Sequence, residues 1–363
     1  MNTSKVFVHI VLYNSMAQHG AVALKKNITA LLEQEGFTNG ENLKIVVRDN
    51  GSKDGAAEFL KEEFKDKVVI ESLKENLGFA GGQNLGVRDF LESDFDHILI
   101  LNPDIKLEKS ALKYLSVALE EDPTIGMVCP KLFRGDAELN PVYPLRLDAA
   151  GMILTETLRH FDRGSEREDC EKYSKSEDVF GGSGACLLLK RSCVEDLLVE
   201  AGDITAPDKI FPQLAAGRAE RAPLFDEAFF AYREDADLAW RAQLFGWRCL
   251  YVAIAKATHR RVVLPERRQV LPAELNKHSV RNRFLLQLNN YSLRQSISAF
   301  FCGVLWRNLL VLVGVILKER TSLPALKEVW ILKERALARR KVILEKAKQR
   351  NGIKLMRQWF YKR

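Results

Sequence analysis

The chain lacks several patterns that define common protein classes. Its six cysteines form no CxxC pair, which argues against a zinc site or a disulfide framework and indicates reduced thiols in a cytosol. No GxGxxG fingerprint of a dinucleotide-binding fold is present. Internal repeats and low-complexity tracts are also missing, and the apolar run at the N-terminus is too short for a signal peptide. Hydrophobic residues make up 47% of the 363 residues, so the chain is expected to fold rather than stay disordered.

The positive charge of the chain lies at its C-terminal end. The net charge is +7, but residues 318–363 hold 15 Lys or Arg and 4 Glu, which leaves about −4 for the rest. Residues 297–317 just before this segment are apolar and nearly long enough to span a bilayer. Arg307 near the centre would cost roughly 2.5 kcal/mol or more there. We therefore expect an interfacial or protein-packed helix rather than a span.

The basic segment itself has two interpretations. Apolar, aromatic and basic residues are mixed along it, which is typical of segments that bind an anionic membrane surface. The alternative is a helical hairpin that packs on the rest of the chain.

The first half of the chain alternates strand and helix patterns. This alternation predicts an α/β fold with a mostly parallel sheet, in which ligands bind beyond the carboxyl ends of the strands. The predicted strands are 5–14, 43–50, 67–72 and 97–102, and the predicted helices are 25–35, 54–64 and 80–91. The polar residues at the strand ends are Tyr13, Asn14, Asp49, Asn50, Asn102 and Asp104.

Three of these strand ends carry side chains suited to a nucleotide ligand. The Asp49 carboxylate can accept a hydrogen bond from a nucleobase, although taken alone the segment is better explained as a plain Asx/Gly turn. The glycine-rich segment 76–86 runs from a strand into a helix and can place backbone N–H groups against a phosphate. Asp104, after Asn102 and Pro103, can hold a divalent cation that bridges two phosphates, or simply end a proline turn.

Two adjacent acids, Glu234 and Asp235, open a predicted helix that runs to Phe245 and stops at Gly246. The helix dipole favours acids in a first turn, so a structural role explains them without chemistry. The functional interpretation is a general base beside a metal site, with His259 just past the next strand.

A third acid follows on the same helix. Asp237 is expected to hold the start of the helix or to pair with Arg241 one turn on.

Five segments of the chain form a characteristic series. They are VVRDNGSKDG (46–55), NLGFAGGQNLGV (76–87), ILILNPDI (98–105), VFGGSGACLLLKR (179–191) and FDEAFFAYREDADLAWRAQLFGW (225–247). In this order, and with His259 and the RNR of 281–283 as further matches, they resemble the inverting family 2 glycosyltransferases of the GT-A fold, in particular a rhamnosyltransferase-like bacterial branch. The resemblance covers about residues 1–290.

This resemblance implies an architecture. It implies an α/β GT-A catalytic domain over residues 1–290, Rossmann-like with a mostly parallel central sheet. Residues 1–120 would form the nucleotide-binding half and 121–290 the acceptor half. Residues 291–363 would form a helical, basic extension that associates with the membrane.

The resemblance also implies roles for individual residues. Asp235 would be the catalytic base with Glu234 beside it, and Asp104 and His259 would hold Mg²⁺ or Mn²⁺. Asn102 stands where the family's metal motif has its first Asp. The nucleotide-sugar residues would be Tyr13, Asp49, Asn50, Asn76, Gly78, Ala80, Asn84, Asn102 and Asp104. The acceptor-side residues would be Gly181, Gly182, Ser183 and Gly184.

The expected function is transfer of a sugar, rhamnose or another hexose, from a nucleoside-diphosphate sugar to a lipid-linked surface glycan. The protein would lie in the cytoplasm on the inner face of the membrane, with no nucleic-acid partner; a homo-oligomer is left open. A sugar-phosphate nucleotidyltransferase is an alternative, but residues 15–20 contain one glycine and no Lys or Arg for a phosphate loop. A membrane- or polyanion-binding module is another, and it would show steep salt dependence.

Overall fold

A computed structural model of the protein describes residues 4–261 and 272–361. Its first half alternates strands and helices as predicted. The elements are β1 (Val6–Leu12), α1 (Ser15–His19), α2 (Ala21–Leu32), β2 (Leu43–Asp49), α3 (Ala56–Phe64), β3 (Val69–Ser72), α4 (Gly78–Leu91), β4 (His97–Leu101), β5 (Ile105–Leu107), α5 (Ala111–Glu120) and β6 (Ile125–Arg134).

The second half has shorter strands and longer helices. Residues Phe300–Arg307 form a π-helix. The elements are β7 (Leu147–Ala149), β8 (Met152–Thr155), β9 (His160–Asp162), β10 (Glu177–Val179), β11 (Cys186–Lys190), α6 (Arg191–Leu197), α7 (Glu234–Leu244), β12 (Arg248–His259), α8 (Ala273–Asn290), α9 (Ile297–Ala299), α10 (Asn308–Leu317), α11 (Pro324–Gln349), α12 (Gly352–Met356) and β13 (Phe360–Tyr361).

The central sheet is mixed but mostly parallel, which confirms the predicted fold class. Its main path runs β10-β12-β6-β11-β4-β1-β2-β3, with β5 paired to β12 and β7 to β6. The strands β1, β2, β3 and β4 are parallel, whereas β11 is antiparallel to both β4 and β6. The antiparallel strand β11 brings the chain back beside β4, so its first residues lie next to the end of β4.

Helices cover both faces of the sheet, and this explains the sequence of β1. Nearly all side chains of the VFVHIVL strand are buried, on both faces of the pleat, as in other sheets covered on two sides. Val8 and Ile10 pack in one core cluster with Leu24 and Ile28 of α2. Phe7 packs in the other cluster with Phe90 of α4.

The C-terminal segment is part of the same core. Leu332, Ala336 and Ile343 of α11 belong to the cluster that contains Phe7 and Phe90. The last described strand, β13, pairs in parallel with β8 in a small sheet with β9. The boundary predicted at residue 290 therefore does not separate two cores, because the basic sequence of α11 carries an apolar stripe that packs inward.

The docking of α12 depends on a glycine. A Cβ built on Gly352 would overlap the backbone carbonyl of Leu244 at the end of α7. We expect Gly352→Ala to lower the free energy of unfolding by about 1–3 kcal/mol, the usual cost of overpacking. Urea denaturation measures this, with Gly314→Ala as the control, since a Cβ at Gly314 meets nothing within 4 Å. Equal stability of the two variants would contradict the close packing of α12.

The apolar segment 297–317 lies on the surface of the protein. It is the one helix in the described residues that is long and apolar enough to cross a membrane, and only 17% of it is buried. Ile297, Trp306 and Leu317 are each more than 60% exposed. This segment therefore presents an apolar surface to its surroundings.

Candidate active site

The ends of three parallel strands meet at one edge of the sheet, as the sequence predicts. Leu12 of β1 pairs with Asp49 of β2, and Ile10 of β1 pairs with Leu101 of β4. The register places the residues that follow these strands side by side. Tyr13 is 44% exposed beside this edge.

Asp49 and Asn50 hold the turn after β2. Asp49 is buried and accepts hydrogen bonds from the backbone N–H and the hydroxyl of Ser52, and burial raises the pKa of its carboxyl group. The Asn50 amide donates to Asn76 Oδ1 at 3.0 Å and to the Gly78 carbonyl at 2.9 Å. The two predicted nucleotide-binding segments, after β2 and before α4, are therefore joined directly.

The start of α4 contacts the segment that leads to the two acids. Gly78 has φ +72, and a Cβ there would overlap the Phe230 carbonyl. The Ala80 N–H donates to that same carbonyl at 3.1 Å. Asn84 is fully buried, and its amide oxygen and nitrogen bond the backbone N–H and carbonyl of Phe225, each at 2.9 Å. These are structural contacts, and a role of Asn84 in donor binding stays a prediction.

Asp104 and His259 lie together, although 155 residues separate them in the sequence. His259 Nε2 is 3.4 Å from Asp104 Oδ2, and its Nδ1 is 2.6 Å from Asp148 Oδ2. Burial favours neutral histidine, but Asp104 and Asp148 outweigh it and raise the pKa of His259 to about 10. Burial alone would raise the pKa of Asp148, but the positive charges of His259 and Arg261 lower it to about 2.

The Asp104 and His259 pair has the chemistry of a divalent-cation site. Within the described residues no group of three or more His, Cys, Asp or Glu side chains is arranged to hold a metal. A carboxylate oxygen and an imidazole nitrogen are suitable ligands once a cation displaces the proton of His259, and Asp148 orients the imidazole as carboxylates behind metal-bound histidines do. His19 Nδ1 is buried 3.7 Å from Asp104 Oδ2, and it has no hydrogen-bond partner among residues 4–261 and 272–361. The residues present therefore fit a cation held by few protein ligands.

Asp235 stands at the start of α7 and joins the acceptor-side loop to the strand ends. Its Oδ2 accepts from the Gly184 N–H at 3.1 Å, and its Oδ1 accepts from the Ala236 N–H at 2.8 Å. The next residue, Ala185, accepts a 2.8 Å backbone hydrogen bond from Asn102. Residues 184–185 therefore contact both the predicted base, Asp235, and Asn102 of the predicted metal motif.

The other residues of the acceptor-side loop mainly pack against the protein. A Cβ on Gly181 would overlap Ala239 of α7, and one on Gly182 would lie 2.7 Å from Cys129. Ser183 is half-buried and its hydroxyl accepts from the Ala185 N–H at 3.4 Å. Close packing of the glycines fixes the position of the N–H group that Gly184 donates to Asp235.

Burial controls the two acids of α7. Glu234 is 6% exposed, and its Oε2 has no hydrogen-bond partner in the described residues. Burial first, and then the charges of Asp235 and Asp237, raise the pKa of Glu234 well above its usual range. Burial also raises the pKa of Asp235, against the opposing effect of the Gly184 and Ala236 N–H groups. Both carboxyl groups therefore hold protons more strongly than in water.

The raised pKa of Glu234 predicts a pH-dependent effect on stability. Above the ordinary pKa of Glu, near 4.3, the unfolded chain loses this proton before the folded protein does, so the native Glu destabilises the fold as pH rises. We expect Glu234→Gln to raise Tm at pH 7 by about 1–2 °C, because a gain of ~1 kcal/mol is divided by an unfolding entropy of about 2.1 cal/mol/K for each of the 363 residues. The gain should vanish near pH 3, where both states are protonated. Thermal melts at the two pH values measure this, and a gain of equal size at pH 3 would contradict a titrating cause.

The third acid of α7 is structural, as predicted. Asp237 and Arg241 are both fully buried and lie 3.7 Å apart. Asn290 of α8 donates to Asp237 Oδ1 at 2.6 Å. Asp237 therefore ties α7 to α8.

Several residues near the site were not found by the sequence reasoning. Asp162 of β9 accepts from Arg261 at 2.5 Å, and Arg261 also lies 3.4 Å from Asp148. The charge of Asp235 contributes to the raised pKa of Asp162, after burial. His19 and Asp148 lie in segments without a motif. Among these residues, only Arg261 could have been found from the sequence, because it lies two residues after His259.

The sheet order, the acids at the strand ends and the acid pair on α7 place the protein in the GT-A fold class. The chain belongs to glycosyl transferase family 2, whose family model matches residues 7–198. A search among curated proteins finds no match.

Several solved structures are similar to this chain. GalNAc-T7 with UDP, GalNAc and Mn²⁺ aligns at a TM-score of 0.56 and 12% identity, over 95% of this chain and 56% of that one. The present chain thus spans just over half the length of that protein. S. aureus TarS aligns at 0.49 and 15%, over 98% and 55% of the two chains. The mannosyltransferase PcManGT from Pyrobaculum calidifontis, in complex with GDP-Man and Mn²⁺, aligns at 0.48 and 15%, over 98% and 87%.

Proposed function

We propose that this protein is an inverting glycosyltransferase that moves a sugar from a nucleoside-diphosphate donor to an acceptor hydroxyl. One observation carries the proposal. The half-buried Asp235 carboxylate, with its raised pKa, is held by the Gly184 N–H beside the strand ends that carry Asp49 and Asp104. These positions support a catalytic base, a nucleotide-binding edge and a diphosphate-binding acid in one site.

The reaction follows from these positions. Asp49 accepts from the nucleobase, and the sugar diphosphate lies toward Asp104. Asp235 takes the proton of the acceptor hydroxyl as its oxygen attacks the anomeric carbon, while the bond to the nucleoside diphosphate breaks on the opposite face. This single displacement inverts the anomeric centre and forms no covalent intermediate, so one base is enough. The raised pKa makes Asp235 a better proton acceptor than an ordinary aspartate.

Asp104 and His259 would hold Mg²⁺ or Mn²⁺ in this enzyme. The cation would neutralise the negative charge that develops on the leaving diphosphate. The buried Asp148 keeps the His259 ring in place. The GT-A neighbour solved with UDP, GalNAc and Mn²⁺ supports the proposal by its shared fold.

This activity is tested by identifying the donor and by determining the anomeric configuration of the product. The protein is incubated with a panel of nucleotide sugars, including dTDP-rhamnose, with and without Mn²⁺, and the donor is identified as the one that raises Tm. Transfer to an acceptor glycan is then followed, and NMR of the product gives its anomeric configuration. A product that retains the configuration of the donor would contradict the single displacement.

The acceptor is proposed to be a lipid-linked glycan, with the enzyme bound to the cytoplasmic face of the membrane. The exposed apolar segment 297–317 supports this placement. Burying one such side chain contributes about 1.5–3 kcal/mol, and 1.4 kcal/mol is a tenfold change in affinity. We expect Trp306→Asp with Leu309→Asp to weaken binding to anionic phospholipid vesicles by at least about tenfold in a sedimentation assay. Val22→Asp, at an exposed apolar residue of α2, is the control.

Unchanged vesicle binding by the double variant would remove segment 297–317 from the proposal. Activity toward a soluble acceptor should stay intact in either case, because the segment lies outside the residues placed in the transfer reaction.

A further inference from the structure

Arg283 on α8 is a buried charge without an acidic partner in the described residues. Its side chain is 4% exposed. It donates to Asn308 Oδ1 at 3.0 Å and to the Thr157 carbonyl at 3.1 Å, both neutral acceptors. No carboxylate of residues 4–261 or 272–361 lies within ion-pair distance of it. Buried charges are costly and are normally paired, so this arginine is suited to an anion that arrives from outside.

Three further arginines lie around Arg283 and complete what we call the arginine cluster. Arg307 lies in the π-helix, and its Nε is buried without a hydrogen-bond partner in the described part of the chain. Arg233 is 3.5 Å from His160 Nδ1, and Arg159 stacks on Phe161 at 4.4 Å. Burial first, and then the charges of the other three arginines, lower the pKa of Arg283 to about 9. The positive charge of Arg283 is thus disfavoured by its surroundings.

The cluster lies between the proposed base and the apolar surface segment. Arg233 comes two residues before Asp235 and caps the start of α7. At the other side, Arg307 belongs to the segment 297–317, and Gly303 of that segment packs closely on Leu158, next to Arg159. An anion bound by the cluster would therefore have the active site on one side and the membrane-facing segment on the other.

An apolar groove starts beside the cluster. It has a volume of about 320 Å³ and lies between α8, the π-helix and α11, with Phe284, Leu288, Val304, Val329 and Trp330 among its walls. Asn308 also lines the groove and is the residue that accepts from Arg283. Gln287 and Asn308 exchange two hydrogen bonds, of 2.7 and 3.2 Å. The charged cluster and the apolar groove thus share a wall.

We propose that Arg159, Arg233, Arg283 and Arg307 bind the diphosphate of an isoprenoid-diphosphate-linked acceptor, whose hydrocarbon chain enters the groove. The inference rests on the proposed function and identifies the chemical class of its acceptor. Guanidinium groups match phosphate oxygens with paired N–H donors, which is why arginine is favoured for phosphate recognition. Bound in this way, the lipid end of the acceptor faces the membrane, and its sugar end extends toward Asp235.

Geranyl diphosphate, a soluble isoprenoid diphosphate, tests this site on the full chain by calorimetry. The measurement is made in EDTA, because the donor site is proposed to need a cation and the arginine cluster does not. We expect wild-type protein to bind geranyl diphosphate, and Arg283→Gln and Arg307→Gln each to bind it at least tenfold more weakly. Arg320→Gln is the matched control: it removes the same charge just past the apolar segment and should change binding by less than twofold.

Two comparison ligands separate the sources of affinity. Geraniol lacks the phosphates, and inorganic diphosphate lacks the chain; both should bind at least tenfold more weakly than geranyl diphosphate. Equal binding of geraniol would overturn phosphate recognition, and equal binding of inorganic diphosphate would overturn the lipid assignment. An equal loss in Arg320→Gln would show general charge attraction instead of a site. Arg307 is partly exposed, so its variant tests the cluster even where Arg283→Gln fails to fold.

Kinetics distinguish this inference from the proposed function. If it is correct, Arg307→Gln raises KM for an isoprenoid-diphosphate-linked acceptor at least tenfold, with the donor KM and the rate on a phosphate-free glycoside unchanged. If geranyl diphosphate fails to bind while sugar transfer to the glycoside proceeds, the inference is wrong and the glycosyltransferase assignment stands. Absence of sugar transfer to any acceptor would instead contradict the proposed function.

Discussion

Asp235→Asn is expected to lower kcat for sugar transfer by about 10²–10⁴-fold, the usual contribution of a general base. The amide keeps the shape of the side chain and can still accept from the Gly184 N–H, but it cannot take up the acceptor proton. Donor binding should therefore remain, measured as the rise in Tm that the nucleotide sugar produces. Initial rates at saturating donor and acceptor give the effect on kcat.

The control for this variant is Asp66→Asn, the same chemical change at an exposed acid far from the strand ends. It should transfer sugar at the wild-type rate. The acid limb of the wild-type pH profile should also lie above the ordinary pKa of Asp, near 3.9, because Asp235 must lose its proton to act. A folded Asp235→Asn enzyme with near wild-type turnover would remove Asp235 as the base.

Asp226→Asn is expected to lower the free energy of unfolding by about 3–5 kcal/mol, the cost of breaking a buried ion pair on one side. Asp226 is 2% exposed and lies 2.7 Å from Arg335 and 3.1 Å from Arg339, both buried on α11. These two arginines hold its pKa below the usual range, in spite of burial. The substitution leaves both charges without their carboxylate. Urea denaturation at pH 7 measures the loss.

Two further variants show whether the loss comes from unpaired charge. Adding Arg339→Met to Asp226→Asn should recover part of the stability, because it removes one of the stranded charges. Glu63→Gln, which breaks the surface pair with Lys25, should cost less than about 1 kcal/mol. The Asp226 penalty should also shrink below about pH 4, because the unfolded chain then binds a proton at Asp226 while the native carboxylate, with its lowered pKa, does not. A small loss at pH 7 would mean that α11 is held by its apolar contacts alone.

The sheet and the strand-end residues could be predicted because they depend on local patterns. The alternation of strands with helices fixes parallel neighbours, and parallel neighbours bring their carboxyl ends to one edge. Asp49 and Asp104 could therefore be assigned to that edge from the sequence. The helix from Glu234 was also predictable, because Gly246, with φ +85, ends it.

The rest of the site depends on contacts between distant segments, which no local pattern records. Asp148 reaches His259 across 111 residues, and Arg283 reaches Thr157 across 126. The basic segment was left with two interpretations for a similar reason. Its charge and aromatic residues indicated a membrane surface, and its packing on the rest of the chain depends on the apolar stripe of α11 and on Asp226, the distant partner of Arg335 and Arg339.

The pairing of β13 with β8 has a consequence for synthesis of the protein. Strand β8 ends at Thr155 and β13 begins at Phe360, about 200 residues later. At roughly 5–20 residues per second, a ribosome reaches the last strand about 10–40 s after the first. Met152 of β8 also bonds the Gly181 carbonyl at 2.7 Å, so this delay extends to the loop that touches Asp235. A nascent chain therefore cannot complete the small sheet of β8, β9 and β13 until translation has passed Tyr361.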